Sequence, residues 1–176
     1  MPARDFCLVR HGETTANAGG IIAGITDVPL TALGRDQARA LAGRAWPDAL
    51  TVYASPLIRA RNTARLALPG HQIRVHPGLR ERDWGVFEGR PLSAQPNRDD
   101  TPDGGEAWPA MLHRVEATIL AICAACSGTL PVLVCHSGVI RATRVLWTTG
   151  DVGTRPPNAT PLLYCKAGPH LTERPL

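Results

Sequence analysis

At 176 residues, with 44% apolar and 19% charged residues and a formal charge of +4, the sequence has the balance of one folded domain able to bury a full core. No apolar run approaches the roughly 18 residues that a membrane span needs, and the apolar stretch in MPARDFCLVR is too short for a signal-peptide core. A cytoplasmic protein with no membrane contact is expected.

The positive charge is almost all arginine, since Lys166 is the sole lysine. A GC-rich genome accounts for such an excess, and so does bidentate recognition of phosphate. The arginines are scattered and aromatics make up 5% of the chain, which argues against nucleic acid as a partner. Cys7, Cys123, Cys126, Cys135 and Cys165 are odd in number. The Cys123/Cys126 spacing falls within an apolar helical pattern, without the further ligands of a zinc site, so core packing is expected.

In chain order, residues 6 to 11 read as a short buried strand. Residues 31 to 46 read as a helix capped by Thr31, with Leu33, Ala38, Leu41 and Ala45 toward one face and weakened by Gly34 and Gly43. Residues 51 to 54 are a second strand, followed at once by a helix with Ser55 as N-cap and Pro56 as its first residue. Residues 73 to 76 suit a further strand. Residues 89 to 105, rich in Pro, Gly, Asp and Asn, form a long loop that is expected to cap a site, with Arg90 and Arg98 as anchors. A helix then begins near Glu106, its stripe marked by Trp108, Met111, Val115, Ile119, Ile122 and Cys126. TLPVLVCH is a buried strand, SGVIRATRVLWTTG a helix stopped by Gly150, and TPLLYCKA the last strand. This alternation predicts a single α/β domain over residues 1 to 176, a three-layer sandwich with a mostly parallel sheet and helices on both faces.

Ligands of such sheets bind beyond the carboxyl ends of the strands. Arg10 and His11 stand at the first of these ends, Ser55 at the second with Arg59 one turn on, and His136 at another. Gly12 and Gly138 follow the two histidines, where backbone N–H groups can approach an anion. Arg10 and Arg59 can fork onto its oxygens and Asn17 can add a neutral donor. A phosphoryl group suits that pocket. The sequence offers neither a carboxylate cluster for Mg²⁺ nor a P-loop. Chemistry without metal or cofactor is therefore expected, with a neutral imidazole as nucleophile.

Six segments, RHGETTAN, GITDVPLTALG, SPLIRARNTA, LRERDWGVFEG, PDGGEA and VCHSGVIRA, together resemble the phosphoglycerate-mutase-like branch of the histidine phosphatase superfamily, in its order and over most of the chain. The resemblance implies that His11 attacks phosphorus and becomes a phosphohistidine. It implies that Arg10, Arg59 and His136 surround the transferring group, and that Glu81 protonates the leaving alcohol and later takes a proton from water. By spacing alone Glu81 reads as a surface partner of Arg80 or Arg82. Gly24 and Ser137 fall at positions that the resemblance marks for substrate, and Asn158 matches a turn that holds a loop.

Phosphohistidine protein phosphatases of the family generally lack a motif like that around Glu81. Its mutases carry a long insertion after this residue, whereas Glu106 follows Glu81 by only 25 positions here. Both departures favour a phosphomonoesterase acting on a small-molecule phosphate ester; which ester is not legible in the sequence, and the motifs are also compatible with α-ribazole-phosphate-type and sugar-phosphate phosphatases. A mutase-type phosphotransferase and a phosphate-ester-binding regulatory protein are the alternatives, with a metal-binding role for His11 and His136 behind them.

Overall fold

The computed structural model describes residues 1–176. One six-stranded sheet runs through it, in the order β3-β2-β4-β1-β5-β6. Its strands are β1 (Phe6–Arg10), β2 (Leu50–Ala54), β3 (Ile73–Val75), β4 (Leu130–Cys135), β5 (Pro161–Ala167) and β6 (His170–Pro175). The first four in that order are parallel, while β5 runs against β1 and β6 against β5. The closing β5–β6 hairpin turns at Gly168, whose φ of 61° is one that glycine adopts without strain. The strand pattern legible in the sequence stops at β5, because HLTERP has little apolar alternation to mark an edge strand.

Helices α1 (Thr15–Ala18), α2 (Ala32–Ala40), α3 (Ile58–Ala67), α4 (Trp108–Ala125) and α5 (Ser137–Trp147) complete the fold. Alternate side chains of a strand leave on opposite faces, and β1 divides accordingly. Phe6 and Leu8 join the core under α4 and α5, with Met111, Ile119, Val139 and Ile140. Cys7 and Val9 join the core under α3, with Ala60 and Ala64. Both faces of the central strands are thus covered, which is why residues 6–9 of β1 and residues 130–135 of β4 read as unbroken apolar runs. Cys123 and Cys126 are buried in the α4 core, and burial pushes the Cys123 thiol up to about 12. No helix is long and apolar enough to cross a membrane.

Two helix expectations are corrected. The helix expected to reach Trp46 ends at Ala40 and passes into a 3₁₀ turn at Leu41–Gly43. Leu33 is exposed, and Gly34 with Ala38 forms the buried face. A Cβ on Gly12 would overlap the Gly34 carbonyl, and one on Gly34 would overlap the Glu13 carbonyl. The glycine that weakens α2 is therefore what lets its first turn sit on the loop after β1. Ser55 does not cap α3, which starts at Ile58 with Leu57 as N-cap. Ser55 is needed elsewhere.

Candidate active site

The parallel strands deliver their ends to one edge. Arg10 pairs in register with Cys135, and the His11 N–H donates to the Cys135 carbonyl at 3.0 Å. His11 and His136 therefore follow adjacent strands, and their rings stand 5.2 Å apart. A cavity of about 370 Å³ opens above them.

His11 is buried, and its Nδ1 lies 2.7 Å from the Gly12 carbonyl. A carbonyl only accepts, so Nδ1 carries the proton and Nε2 keeps its lone pair. Asn158 Nδ2 donates to the His11 carbonyl at 2.8 Å and fixes the backbone of that residue. Burial, then the charges of Arg59 and Arg10, push His11 well below the ordinary histidine value, against the pull of the Gly12 carbonyl. The imidazole is neutral at physiological pH and lines the cavity.

Arg10 donates through one terminal nitrogen to the Pro156 carbonyl at 2.7 Å, and its buried Nε has no partner. Burial and the charge of Arg155 lower it to about 10, so it remains cationic. Arg59 is held more firmly. Its terminal nitrogens donate to the carbonyls of Ala23, Gly24 and Thr26, and its Nε to His136 Nδ1 at 3.3 Å. Those carbonyls are fixed in turn by Glu88. Its carboxylate accepts the N–H groups of Gly24, Ile25, Thr26 and Trp84 and the Thr26 hydroxyl.

Glu81 enters the cavity from the loop after β3. Its two oxygens accept the N–H of Arg82 at 2.8 Å and of Gly138 at 2.9 Å. The pairing with Arg80 or Arg82 side chains that spacing suggests is absent. Arg80 pairs with Glu106, and the buried Arg82 guanidinium donates to the carbonyls of Glu106, Arg98 and Asp100. Arg82 thereby clamps the loop of residues 89–105 over the cavity, which Leu92, Gln95, Pro96 and Arg98 from that loop help to line. Arg90 is not in the wall; its guanidinium lies over the Phe87 ring.

Other expected site residues divide. Asn17 lines the cavity, and its Oδ1 takes Thr14 N–H and Asn158 Nδ2, which turns its amide nitrogen toward other acceptors. Ser137 is also in the wall. Gly24 is not: its N–H is bound to Glu88 and its carbonyl to Arg59. The two glycine N–H groups expected to face an anion are occupied as well, Gly12 by Thr63 Oγ1 and Gly138 by Glu81. These glycines serve close packing, since a Cβ on Gly138 would overlap Glu81 Oε1. His136 lies beside His11 but outside the cavity wall, with Nδ1 engaged by Arg59 and Nε2 2.7 Å from Ser55 Oγ.

Sequence reasoning missed Arg82, Arg141 and Arg155, all in the wall. Arg141 had a usable signal, because it stands one helical turn beyond Ser137 and Gly138 on α5. Arg155 had none, in an irregular stretch. With Arg10, Arg59 and Arg98 they give six arginines against one carboxylate, Glu81. No three His, Cys, Asp or Glu side chains gather into a metal-binding group. The donors present suit a phosphate ester.

The chain matches the model of the histidine phosphatase superfamily (branch 1) over residues 6–159. It is 38% identical to a "Probable phosphoglycerate mutase GpmB" of Enterobacter sp. (strain 638), over 73% of this chain and 67% of that one. Among solved structures, it is similar to a phosphoglycerate mutase from Thermus thermophilus, with a TM-score of 0.79 and 33% identity over 98% of each chain. It is also similar to a "putative alpha-ribazole-5'-P phosphatase" from Escherichia coli, with a TM-score of 0.86 and 28% identity over 99% of this chain and 96% of that one. The six segments, the ends of β1 and β4 and these likenesses agree: the chain belongs to branch 1 of the histidine phosphatase superfamily.

Proposed function

We propose that the protein is a phosphomonoesterase that needs no metal and hydrolyses a small phosphate ester through a phosphohistidine at His11. The observation that carries this reading is the His11 Nδ1–Gly12 carbonyl contact of 2.7 Å. It leaves an unprotonated Nε2 in a cavity walled by Arg10 and Arg59, with Glu81 in the same wall.

The Nε2 lone pair attacks phosphorus while the ester P–O bond breaks, and Glu81, carrying a proton, passes it to the departing alkoxide. Each carboxyl oxygen of Glu81 accepts one backbone N–H and keeps a further lone pair for that proton. Water then attacks the phosphohistidine, gives a proton to Glu81, and the P–N bond breaks. Neutral His11, the Glu81 acid, an alcohol and phosphate result. Arg10 and Arg59 stabilise the charge on the equatorial oxygens, which is the main demand of phosphoryl transfer. His136 acts from behind, by holding Arg59 and packing on His11.

Hydrolysis is favoured over transfer by the short segment between Glu81 and Glu106, which leaves no large enclosure to keep water from the phosphohistidine. The mutase reading rests on the names of two relatives. One experiment separates them. Phosphate release from an ester panel is measured in EDTA, with and without 2,3-bisphosphoglycerate, for wild type and His11→Ala. Primer-independent release by wild type alone supports the hydrolase, and isomerisation only with primer supports the mutase. Retained covalent labelling in His11→Ala would exclude His11 as the nucleophile.

A further inference from the structure

The free lone pair of His11 depends on one acceptor, the Gly12 carbonyl 2.7 Å from Nδ1. Gly12 is a joint between two rigid peptide planes. The first plane carries the His11 carbonyl and the Gly12 N–H. It is held at both ends, the carbonyl by Asn158 Nδ2 at 2.8 Å and the N–H by Thr63 Oγ1 at 3.0 Å. Thr63 is fully buried and donates in turn to the Arg59 carbonyl at 2.8 Å. This plane cannot turn without breaking contacts to two distant parts of the chain.

The second plane carries the Gly12 carbonyl and the Glu13 N–H on opposite sides. Its carbonyl faces His11, so its N–H is what ties it to the rest of the protein. That N–H donates at 2.9 Å to Oε1 of Gln37, on the second turn of α2. The same helix takes the next plane too, since the N–H of its cap Thr31 donates to the Glu13 carbonyl at 3.0 Å. The joint needs this hold. The Gly34 carbonyl leaves no room for a Cβ on Gly12, and glycine is the residue whose backbone turns most freely. A flip of the second plane would take the carbonyl away from Nδ1 and bring the Glu13 N–H toward it. Nδ1 would then accept, the ring proton would sit on Nε2, and no lone pair would face phosphorus.

We propose that Gln37 is a positioning residue for the nucleophile: by accepting the Glu13 N–H it keeps the Gly12 carbonyl on His11 and selects the tautomer with a free Nε2. Gln37 lies outside the cavity wall, so it acts only through that peptide. An engaged N–H also polarises the carbonyl of its own peptide, which strengthens the acceptor that His11 uses. The effect on turnover rests on the phosphomonoesterase reading; the hold on the His11 tautomer does not.

The test reads the His11 ring by ¹⁵N NMR in neutral buffer, beside turnover of nitrophenyl phosphate. The chain has six histidines, and the signal lost in His11→Ala assigns the right one. Wild type is expected to show Nδ1–H alone. Gln37→Met keeps the side-chain length and removes the acceptor. It is expected to show the Nε2–H tautomer as well, and to lower kcat about 10- to 100-fold at unchanged KM, as misplacement of a reacting group does. Gln37→Glu supplies an acceptor again and is expected to recover Nδ1–H and most of kcat. Gln37→Ala, which favours the helix, repeats the test if methionine disturbs folding. A merely structural contact would move the urea midpoint and leave the ring alone, so Nδ1–H as the sole tautomer in every Gln37 variant overturns the proposal. Nε2–H in wild type overturns it too. The ring signal needs no turnover: if no ester is hydrolysed while the tautomer follows Gln37, the hydrolase reading falls and the hold on His11 stands.

Discussion

Arg59 donates its Nε–H to Nδ1 of His136 across 3.3 Å. Arginine does not give up that proton, so Nδ1 is the acceptor and the ring proton of His136 sits on Nε2. It is donated to Ser55 Oγ at 2.7 Å. The residue that local sequence makes a helix cap is in fact the stop that orients a buried histidine. Ser55→Ala leaves a fully buried N–H unpaired and is expected to cost about 1–3 kcal/mol of stability. It also frees the ring that steadies Arg59, so kcat is expected to fall about tenfold, within the range for loss of one preorganised group. Urea denaturation and turnover check both, and an unchanged denaturation midpoint would remove Ser55 from this role.

Glu81 is held by α5, whose Gly138 N–H donates to its carboxyl group at 2.9 Å. Glu81→Gln removes the proposed acid and is expected to slow alkyl phosphates by about 10²- to 10⁴-fold, the usual span of general acid catalysis. Nitrophenyl phosphate, whose leaving group needs little protonation, should lose least. Gly138→Ala should show the same selectivity with Glu81 intact, because the added Cβ overlaps Glu81 Oε1. Equal losses on both kinds of ester in either variant would exclude an acid role.

Glu88 never meets the cavity, yet it governs Arg59. Its carboxylate gathers the segment whose carbonyls hold that guanidinium. Glu88→Gln keeps the shape and removes the charge, and is expected to weaken inorganic phosphate binding about tenfold and stability by about 1–3 kcal/mol. A structural effect alone would add to that of Arg59→Ala. Action through Arg59 predicts that the double variant loses less than the sum in phosphate affinity, by about 1 kcal/mol or more.

Burial and nearby arginines lower both His11 and His136 well below 6.5. Between the folded values and 6.5, the unfolded chain binds protons that the native state refuses. Unfolding free energy therefore rises with pH in that window, is fully present above it, and is lost as pH falls from 6.5. The slope is about 1.4 kcal/mol per pH unit for each histidine. Urea midpoints between pH 7.5 and 5 should fall along this line, and His11→Ala should fall less steeply. Parallel curves would mean that His11 is not neutral in the native protein.

Local sequence determined the framework. Unbroken apolar runs at residues 6–9 and 130–135 require strands covered on both faces, and the first is followed by Arg10 and His11, the second by His136. In this sheet the two strands are parallel and adjacent, which brings His11 and His136 together, and the place of both histidines at strand ends was legible in the order of residues. Glu81 was legible only through the likeness of its whole segment, because an acid flanked by arginines is locally indistinguishable from a surface ion pair.

What tertiary structure decided is which donors are already occupied. The N–H groups of Gly12 and Gly138 look free in sequence, yet Thr63 and Glu81 reach them from 51 and 57 residues away. Ser55, Glu88 and Arg82 act through partners distant along the chain. Periodicity reports which side of an element faces the core. It carries no information about which hydrogen-bonding group, brought in by another element, has already satisfied a donor there, and in this protein that pairing separates the groups left for the substrate from those that build the site.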